Sequence, residues 1–347
     1  APNMKHLVSL LLVLLASSTL QADDTIHINF MAYNVENFFD CQHDTLKNDW
    51  AFTPKGANRW TPERYRRKAE NIARVIVAAG GWNPPALVAL CEVENERVMN
   101  TLCDQLKVLD YSYFITHSPD RRGIDVALLY RTEYFTPLQS RSISIKPTST
   151  EQRPTRDILH VSGRLADCRD TLDLFICHFP SRSGGTRKTE GYRLQAARTL
   201  KQAADSVARQ RQSPCLLIMG DFNDYPDSPS IRRELEALPP SGKHPVEPRR
   251  LYHLLANKAA RTLRGSYLYQ KEWNLLDHII VSGHLLQPDN PLHTHEQDAD
   301  IFSPGFLLKD RQPFRTYKGS DYMGGFSDHL PVTGVLHVWK KGHKKQQ

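Results

Sequence analysis

Acidic, amide and imidazole side chains recur at the points where apolar runs of this sequence stop. The stretch LLIMGDFND supplies Asp221 and Asn223, LFICHFPSR supplies His178, and GGFSDHLPV places Asp328 beside His329. Carboxylate and amide oxygens are ligands that Mg²⁺ prefers, and histidine transfers protons near neutral pH. These residue types indicate metal-assisted or acid–base chemistry, although any one of them alone is typical of a turn or a surface pair.

The same pattern occurs at other apolar runs. AYNVEN carries Asn34, LCEVEN carries Glu92, and NLLDHIIVS carries Asp277. A carboxylate at the end of a buried strand needs a cation or a hydrogen-bond donor, so Glu92 is the best candidate for a metal ligand, with a salt bridge as the alternative. Asp221 and Asn223 are two residues apart, so on an extended segment their side chains point the same way. A simple Asp-x-Asn turn is the alternative there.

Eight short apolar runs must position these residues. Several are almost continuously apolar, which is typical of strands that are covered on both faces. Strands are predicted over Ile26–Val35, Pro85–Val93, Asp125–Arg131, Leu159–Leu165, Leu172–Phe179, Pro214–Phe222, Leu275–Ser282 and Leu330–Val338.

Two segments carry helix signals. One begins with Thr61 as N-cap and Pro62 at the first helical position, and it ends at Gly80. The other is predicted over Glu190–Gln210 from the helical spacing of its apolar residues. Because strands outnumber helices, a parallel sheet with a helix after most strands is disfavoured. The pattern predicts an α/β (α+β) sandwich of two packed mixed sheets with helices outside, in one large domain.

Together these motifs resemble the endonuclease/exonuclease/phosphatase superfamily of metal-dependent phosphoesterases, which includes deoxyribonuclease I. GDFND followed far downstream by SDHLPV is the most specific part, and NVEN, CEVEN and CHFPSR occur in the matching order. The resemblance covers Ile26–Val338. The segments NVENFFD and HFPSRSGG look most like those of exported bacterial members. It implies the family's four-layer α/β/β/α sandwich.

The resemblance also implies a catalytic role for five residues. Asp221 would orient or deprotonate the attacking water, and Asn223 would hydrogen-bond a phosphate oxygen. His178 and His329 would face the phosphate, and Asp277 would hold His329 in its productive tautomer.

Further implied roles concern the metal, the substrate and support of the site. Glu92 and Asp328 would hold Mg²⁺ or Mn²⁺, with Asp328 positioning a water as the alternative, and Asn34 would bind metal or phosphate. Arg182 would clamp a phosphate, with simple exposure as the alternative. Asp125 in GIDVALLY would orient His178.

An apolar run near the N-terminus is predicted to be part of a secretory signal peptide. Met4 and Lys5 precede the run Leu7–Ala16, and small and polar residues continue to Ala22. A membrane-spanning helix needs about 20 apolar residues, so we expect cleavage rather than insertion, with an uncleaved anchor as the alternative. We therefore predict a signal peptide over 1–22, a single domain over 23–340 and a basic tail over 341–347, in an exported protein that is periplasmic or extracellular.

The cysteines are expected to be mostly unpaired. The six of them form no CxxC pair, which disfavours a zinc site. Export permits disulfides, and one bridge among Cys41, Cys103 and Cys168 is left open.

The net charge of +7 at pH 7 favours anionic partners such as nucleic acid, phospholipid headgroups or phosphate esters. We expect an exported Mg²⁺-dependent phosphodiesterase that acts as a monomer without stable membrane insertion, in the simplest case an endonuclease-type nuclease. The alternative with the same chemistry is a sphingomyelinase-like phospholipase or a phosphomonoesterase. A remote alternative is a non-catalytic binding protein, which would have lost catalytic positions that this chain retains.

Overall fold

The computed structural model describes residues 24–147, 153–262 and 264–340. The predicted signal peptide, 1–22, and the basic tail, 341–347, lie outside the described residues. Both segments, and the domain limits drawn between them, therefore stay predictions. Among the described residues, no helix combines the length and the apolar character needed to cross a bilayer.

The elements of the described residues are named in chain order. The strands are β1 (Thr25–Phe38), β2 (Leu87–Val93), β3 (Tyr111–Ile115), β4 (Asp125–Arg131), β5 (Phe135–Ile143), β6 (Ile158–Leu165), β7 (Leu172–His178), β8 (Cys215–Asp221), β9 (Leu251–His253), β10 (Tyr267–Tyr269), β11 (Glu272–Asn274), β12 (Asp277–Ser282), β13 (Leu292–His293), β14 (Asp300–Ile301), β15 (Leu308–Lys309), β16 (Gln312–Pro313), β17 (Tyr317–Lys318), β18 (Asp321–Tyr322) and β19 (Val332–Trp339). The α-helices are α1 (Pro62–Ala79), α2 (Glu96–Gln105), α3 (Thr186–Gln210) and α4 (Ala256–Thr262).

Two mixed sheets dominate the fold. The first has the order β13-β19-β1-β2-β4-β3, with β14 also paired to β19, and the second has the order β5-β6-β7-β8-β12-β9. The pairs β1–β2 and β7–β8 are parallel, and the other pairs in these two sheets are antiparallel. The remaining short strands form three two-stranded pairs.

Alternate residues of β8 show how the layers stack. Leu217 and Met219 join the large hydrophobic core that both sheets share, whereas Leu216 and Ile218 join a second core with Leu200 of α3. Successive side chains of a strand point to opposite faces, so the second sheet is covered on both faces. Helix α1 contributes buried residues to the large core and contacts β1, so it covers the first sheet. The predicted α/β/β/α sandwich is confirmed.

The predicted helices are present, with one corrected boundary. Thr61 Oγ1 accepts a hydrogen bond from the Arg64 backbone N–H at 3.4 Å, and α1 starts at Pro62. The predicted start of the second helix at Glu190 is wrong, because α3 begins at Thr186 directly after Gly185. Its polar first turn, TRKT, carries no apolar periodicity, so the sequence pattern missed it.

All eight predicted strands are present, with ends that differ by at most three residues. The sequence did not reveal β5, an edge strand of mostly exposed polar residues that has no apolar run to mark it. Helix α2 was also missed, although Asn95 caps it by accepting hydrogen bonds from two backbone N–H groups. All six cysteines are free in the structure, so the bridge that was left open is absent.

Candidate active site

Adjacent strands of the second sheet place three predicted site residues on one rung. His178 ends β7, Asp221 ends β8 and Asp277 begins β12, and the register pairs His178 with Asp221 and Asp221 with Asp277. Neighbouring strands lie about 4.8 Å apart, so these side chains form a row at the sheet edge. Gly220 precedes Asp221 at φ 135°, and a Cβ there would lie 2.0 Å from the Cys177 carbonyl oxygen. Only glycine permits that approach.

Two irregularities in the first sheet supply the opposite wall. The β2–β4 register shifts between Cys91 and Val93, and Glu92 between them has φ 67°. The β1–β2 register shifts after Asn34. Bulges re-aim side chains at sheet edges, and non-glycine residues at positive φ cluster at functional sites. Here they direct Asn34 and Glu92 into the cleft beside the row.

Asp221 is the centre of the site. Its Oδ2 accepts a hydrogen bond from Asn34 Nδ2 at 3.0 Å, and its Oδ1 accepts one from the Asn223 backbone N–H at 2.8 Å. His178 Nε2 lies 3.5 Å and His329 Nε2 3.9 Å from the same Oδ2. Burial raises the pKa of Asp221 to about 7, against the lowering effect of the His329 charge.

The two histidines have opposite charge tendencies. Burial alone would lower the pKa of His329, but Asp277, whose Oδ2 is 2.6 Å from His329 Nδ1, raises it well above its usual value. For His178, burial and then the charges of Arg156 and Arg122 hold the pKa well below its usual value. These opposite shifts favour the protonated form of His329 and the neutral form of His178.

The predicted metal ligands present a donor set that suits a hard divalent cation. Glu92 Oε2 accepts a hydrogen bond from the Asn37 backbone N–H at 2.9 Å, while Oε1 faces only longer contacts, Arg122 at 3.7 Å and His178 at 3.9 Å. Asp328 lines the same cleft. These oxygens fit Mg²⁺ or Mn²⁺, with Asn34 adjacent.

A charged network behind Asp328 was missed by the sequence reasoning. Arg315 Nη2 donates to Asp328 Oδ2 at 2.7 Å, and Arg315 Nε lies 3.5 Å from Glu36 Oε1. Burial, followed by the Asp328 charge, raises the pKa of Glu36 to about 7, and burial lowers the pKa of the nearby Lys68 to about 8. Glu36 lies inside the NVEN motif and could have been found there, whereas Lys68 in α1 carries no such signal.

The site opens into a cleft of ≈ 670 Å³. Eight of the ten predicted site residues line it, namely Asn34, Glu92, His178, Arg182, Asp221, Asn223, Asp328 and His329. Asp277 lies beneath His329. The Arg182 guanidinium lies 4.2 Å from the Tyr225 ring centroid, which holds it at the cleft wall. The sequence did not single out Arg122 or the lining residues Tyr225, Tyr267, Tyr269 and Asn274, because no apolar run ends at them.

The predicted role of Asp125 is wrong. Its Oδ1 accepts hydrogen bonds from Thr116 Oγ1 at 2.6 Å and from Ser118 Oγ at 2.5 Å. His178 Nδ1 has no hydrogen-bond partner among the described residues. Asp125 therefore fixes the loop after β3 and does not orient His178.

Comparison with known proteins agrees with this geometry. The family model described as the endonuclease/exonuclease/phosphatase family matches residues 29–338. The chain belongs to this family. Its members are phosphoesterases that generally use divalent metals. No curated protein sequence matches the chain.

Several solved structures share the fold. A family protein from Bacteroides thetaiotaomicron aligns with a TM-score of 0.57 and 15% identity, covering 90% of this chain and 98% of that chain. A mannosyl-6-phosphatase of the same organism has a TM-score of 0.53 and 15% identity, covering 90% and 99%. D. rerio TDP2, complexed with single strand DNA product, has a TM-score of 0.52 and 14% identity, covering 89% and 98%. At these identities the likeness shows the fold alone.

Proposed function

We propose that this chain is an exported, metal-dependent phosphodiesterase, most directly a nuclease that hydrolyses the phosphodiester bonds of nucleic acid. The observation that carries the proposal is the convergence on one buried carboxylate. Asn34, Asn223, His178 and His329 each place a nitrogen within 3.9 Å of an Asp221 oxygen. Hydrolysis of a phosphodiester needs this combination of a base and several donors for phosphate oxygens.

Asp221 is the group that orients the attacking water and accepts its proton. Its pKa of about 7 lies near the operating pH, where a general base is most effective. Hydrogen bonds from Asn34 and the Asn223 backbone fix the carboxylate, so the base does not need to reorganise during the reaction.

The two histidines serve the phosphate in different ways. His329, held as an imidazolium by Asp277, stabilises negative charge on the phosphate oxygens and can give its Nε2 proton to the leaving oxygen. His178 is neutral, so it contributes a hydrogen bond rather than a charge. Arg182 at the cleft wall is placed to bind an adjacent phosphate.

Glu92 and Asp328, with Asn34 beside them, would hold Mg²⁺ or Mn²⁺. When bound, the metal would polarise a phosphate oxygen and neutralise its developing charge.

The shape of the surface supports a polymeric substrate. A second cleft of ≈ 860 Å³ shares Tyr225 and Asn274 with the first, and Trp273 and Arg232 also line it. Together the two clefts offer room beyond a single phosphate, with aromatic rings on which bases can stack. A phosphomonoesterase would use the first cleft alone.

The decisive experiment is hydrolysis by the purified mature chain with Mg²⁺, Mn²⁺ or EDTA. Plasmid DNA, RNA, bis-p-nitrophenyl phosphate, p-nitrophenyl phosphate and sphingomyelin serve as substrates, and Asp221→Asn is the inactive control. Metal-dependent cleavage of nucleic acid that Asp221→Asn lacks is the expected result. Cleavage restricted to the monoester or to the lipid would replace the nuclease by one of those activities, and no hydrolysis of any substrate would refute the proposal.

Export is a separate part of the proposal and rests on the N-terminal segment Met4–Ala22. N-terminal sequencing of protein recovered from the periplasm or medium is expected to start near Asp23. Recovery only in the cytoplasm, with the segment intact, would contradict export.

A further inference from the structure

A histidine cluster lies at the far end of the first sheet from the active site. His27, His337 and His293 occupy one rung across β1, β19 and β13. A turn after β13 adds His295 and Asp298. His337 follows His329 by eight residues, which is roughly 25 Å of extended chain. The cluster is therefore separate from the phosphoesterase site.

Three ligand atoms of this cluster meet at Asp298. His337 Nε2 lies 2.7 Å and His295 Nδ1 3.1 Å from the same oxygen, Asp298 Oδ2. Among the described residues, the ion pairs of Asp298 are with these two histidines, so no lysine or arginine competes for the carboxylate. The backbone N–H of His295 also donates to Asp298 Oδ2, at 2.8 Å.

The neighbouring histidines complete the environment. His293 stacks on His337 with ring centroids 5.2 Å apart, and its Nδ1 lies 2.9 Å from the Asn290 carbonyl oxygen. Donation from Nδ1 to that carbonyl leaves the Nε2 lone pair of His293 available, which is the tautomer that metal-ligating histidines adopt. His27 Nδ1 lies 2.9 Å from His337 Nδ1, which orients the His337 ring.

We propose that His295, His337 and Asp298 form a second metal site, for a zinc-class divalent transition ion, with His293 within the same cluster. Two imidazoles and one carboxylate suit Zn²⁺, whereas the oxygen-rich active site suits Mg²⁺. Bonds of about 2.0–2.2 Å in tetrahedral geometry require ligand atoms roughly 3.3 Å apart. The distances from Asp298 Oδ2 to His337 Nε2 and His295 Nδ1 are shorter than this by a few tenths of an ångström. A small side-chain rotation would therefore let the ion replace the protons that the carboxylate shares with the two imidazoles. The ion would tie the turn after β13 to β19.

The test is calorimetric titration of Zn²⁺ into the untagged, metal-free mature chain in excess Mg²⁺. One equivalent is expected to bind the wild-type protein, and the double variant His295→Asn, His337→Asn is expected to bind it at least tenfold more weakly. His117→Asn is the matched control, because His117 and Glu96 form a surface imidazole–carboxylate pair with no third metal-ligating side chain grouped with it among the described residues. It should bind zinc like the wild type.

Two further measurements distinguish zinc binding at this cluster from binding at the active site and from failure of the proposed function. A crystal grown with Zn²⁺ should show anomalous scattering between His295, His337 and Asp298, which requires no variant. The double variant should keep the phosphodiesterase activity of the parent, so failure of this site and failure of the proposed function are distinguishable. Absence of zinc binding, unchanged binding by the double variant, or an anomalous peak only at the active site would overturn the proposal.

Discussion

Replacing Asp277 by asparagine should slow catalysis strongly while leaving the fold in place. Asp277 is fully buried, and its Oδ2 lies 2.6 Å from His329 Nδ1. A hydrogen bond between charged groups contributes about 1.5–3 kcal/mol, and 3 kcal/mol corresponds to roughly 150-fold in rate. Loss of the correct imidazole tautomer extends the effect toward about 10⁴-fold, as in hydrolase triads. Since 1.5 kcal/mol corresponds to roughly tenfold, we expect kcat of Asp277→Asn to fall by between about 10-fold and 10⁴-fold.

The assay is steady-state hydrolysis of bis-p-nitrophenyl phosphate with saturating Mg²⁺ over a range of pH. Because Asp277 raises the pKa of His329, and because His329 acts while protonated, the alkaline limb of the wild-type profile lies above the usual histidine range. In the variant the pKa of His329 falls. The alkaline limb of the remaining activity should therefore shift to lower pH.

A second buried acid–histidine pair provides the matched control. Asp173, also fully buried, lies 3.0 Å from His160 Nε2 and 2.7 Å from Arg211 Nε, at the opposite end of β7 from His178. Asp173→Asn should lower the free energy of unfolding and leave kcat within about threefold. The reasoning is refuted if Asp277→Asn keeps more than a tenth of wild-type kcat, or if both variants lose activity equally.

Three further predictions concern the same site. In metal-free protein, the pKa of Asp221 is about 7 when folded and about 3.9 when unfolded, so stability falls by up to roughly 4 kcal/mol as pH rises from 4 to 7. In urea unfolding, the stability of Asp221→Asn should not show this decrease between pH 4 and 7. If the decrease persists in the variant, another titrating group causes it. Mg²⁺ should raise the Tm of the wild type but not of Glu92→Gln, and equal shifts would exclude Glu92 as a ligand. Arg182→Ala should raise KM for a dinucleotide about tenfold with kcat nearly unchanged, which reflects one lost charge-assisted hydrogen bond; a fall in kcat alone would contradict phosphate binding.

The fold could be predicted from the sequence because its central strands are covered on both faces. Several of these strands are short, almost continuously apolar runs, and all eight predicted runs are strands. Several elements at sheet edges and on the surface lack such apolar runs, so the sequence did not predict them. Most residues of β5 are exposed and form no apolar run, and the first turn of α3 is polar on every side.

The site was predictable to the extent that it is built from strand ends. Adjacent strands bring their last residues together, so His178 and Asp221 meet without further information. Residues that reach the site from loops or from behind it could not be found in this way. Arg122 arrives on the loop before β4, and Lys68 projects from α1 into a buried network.

The predicted role of Asp125 is wrong for a related reason. It begins a strand as Asp277 does, but position at a strand end does not specify which neighbour a side chain contacts. Asp125 binds Thr116 and Ser118, residues of its own hairpin connection, whereas Asp277 meets His329 from a distant part of the chain.

His178 and His329 have different partners, and this difference explains how Asp221 can keep a pKa near neutrality beside both of them. If His178 also had a carboxylate behind it, two imidazolium ions would flank Asp221, and their charges would lower the pKa of Asp221 away from neutrality. Instead His178 Nδ1 has no partner among the described residues, and burial, followed by the charges of Arg156 and Arg122, lowers the pKa of His178. Of the two imidazoles beside Asp221, only that of His329 is therefore held as a cation, and the pKa of Asp221 stays near 7. Acid and base can thus coexist within 3.9 Å at the pH where both are needed.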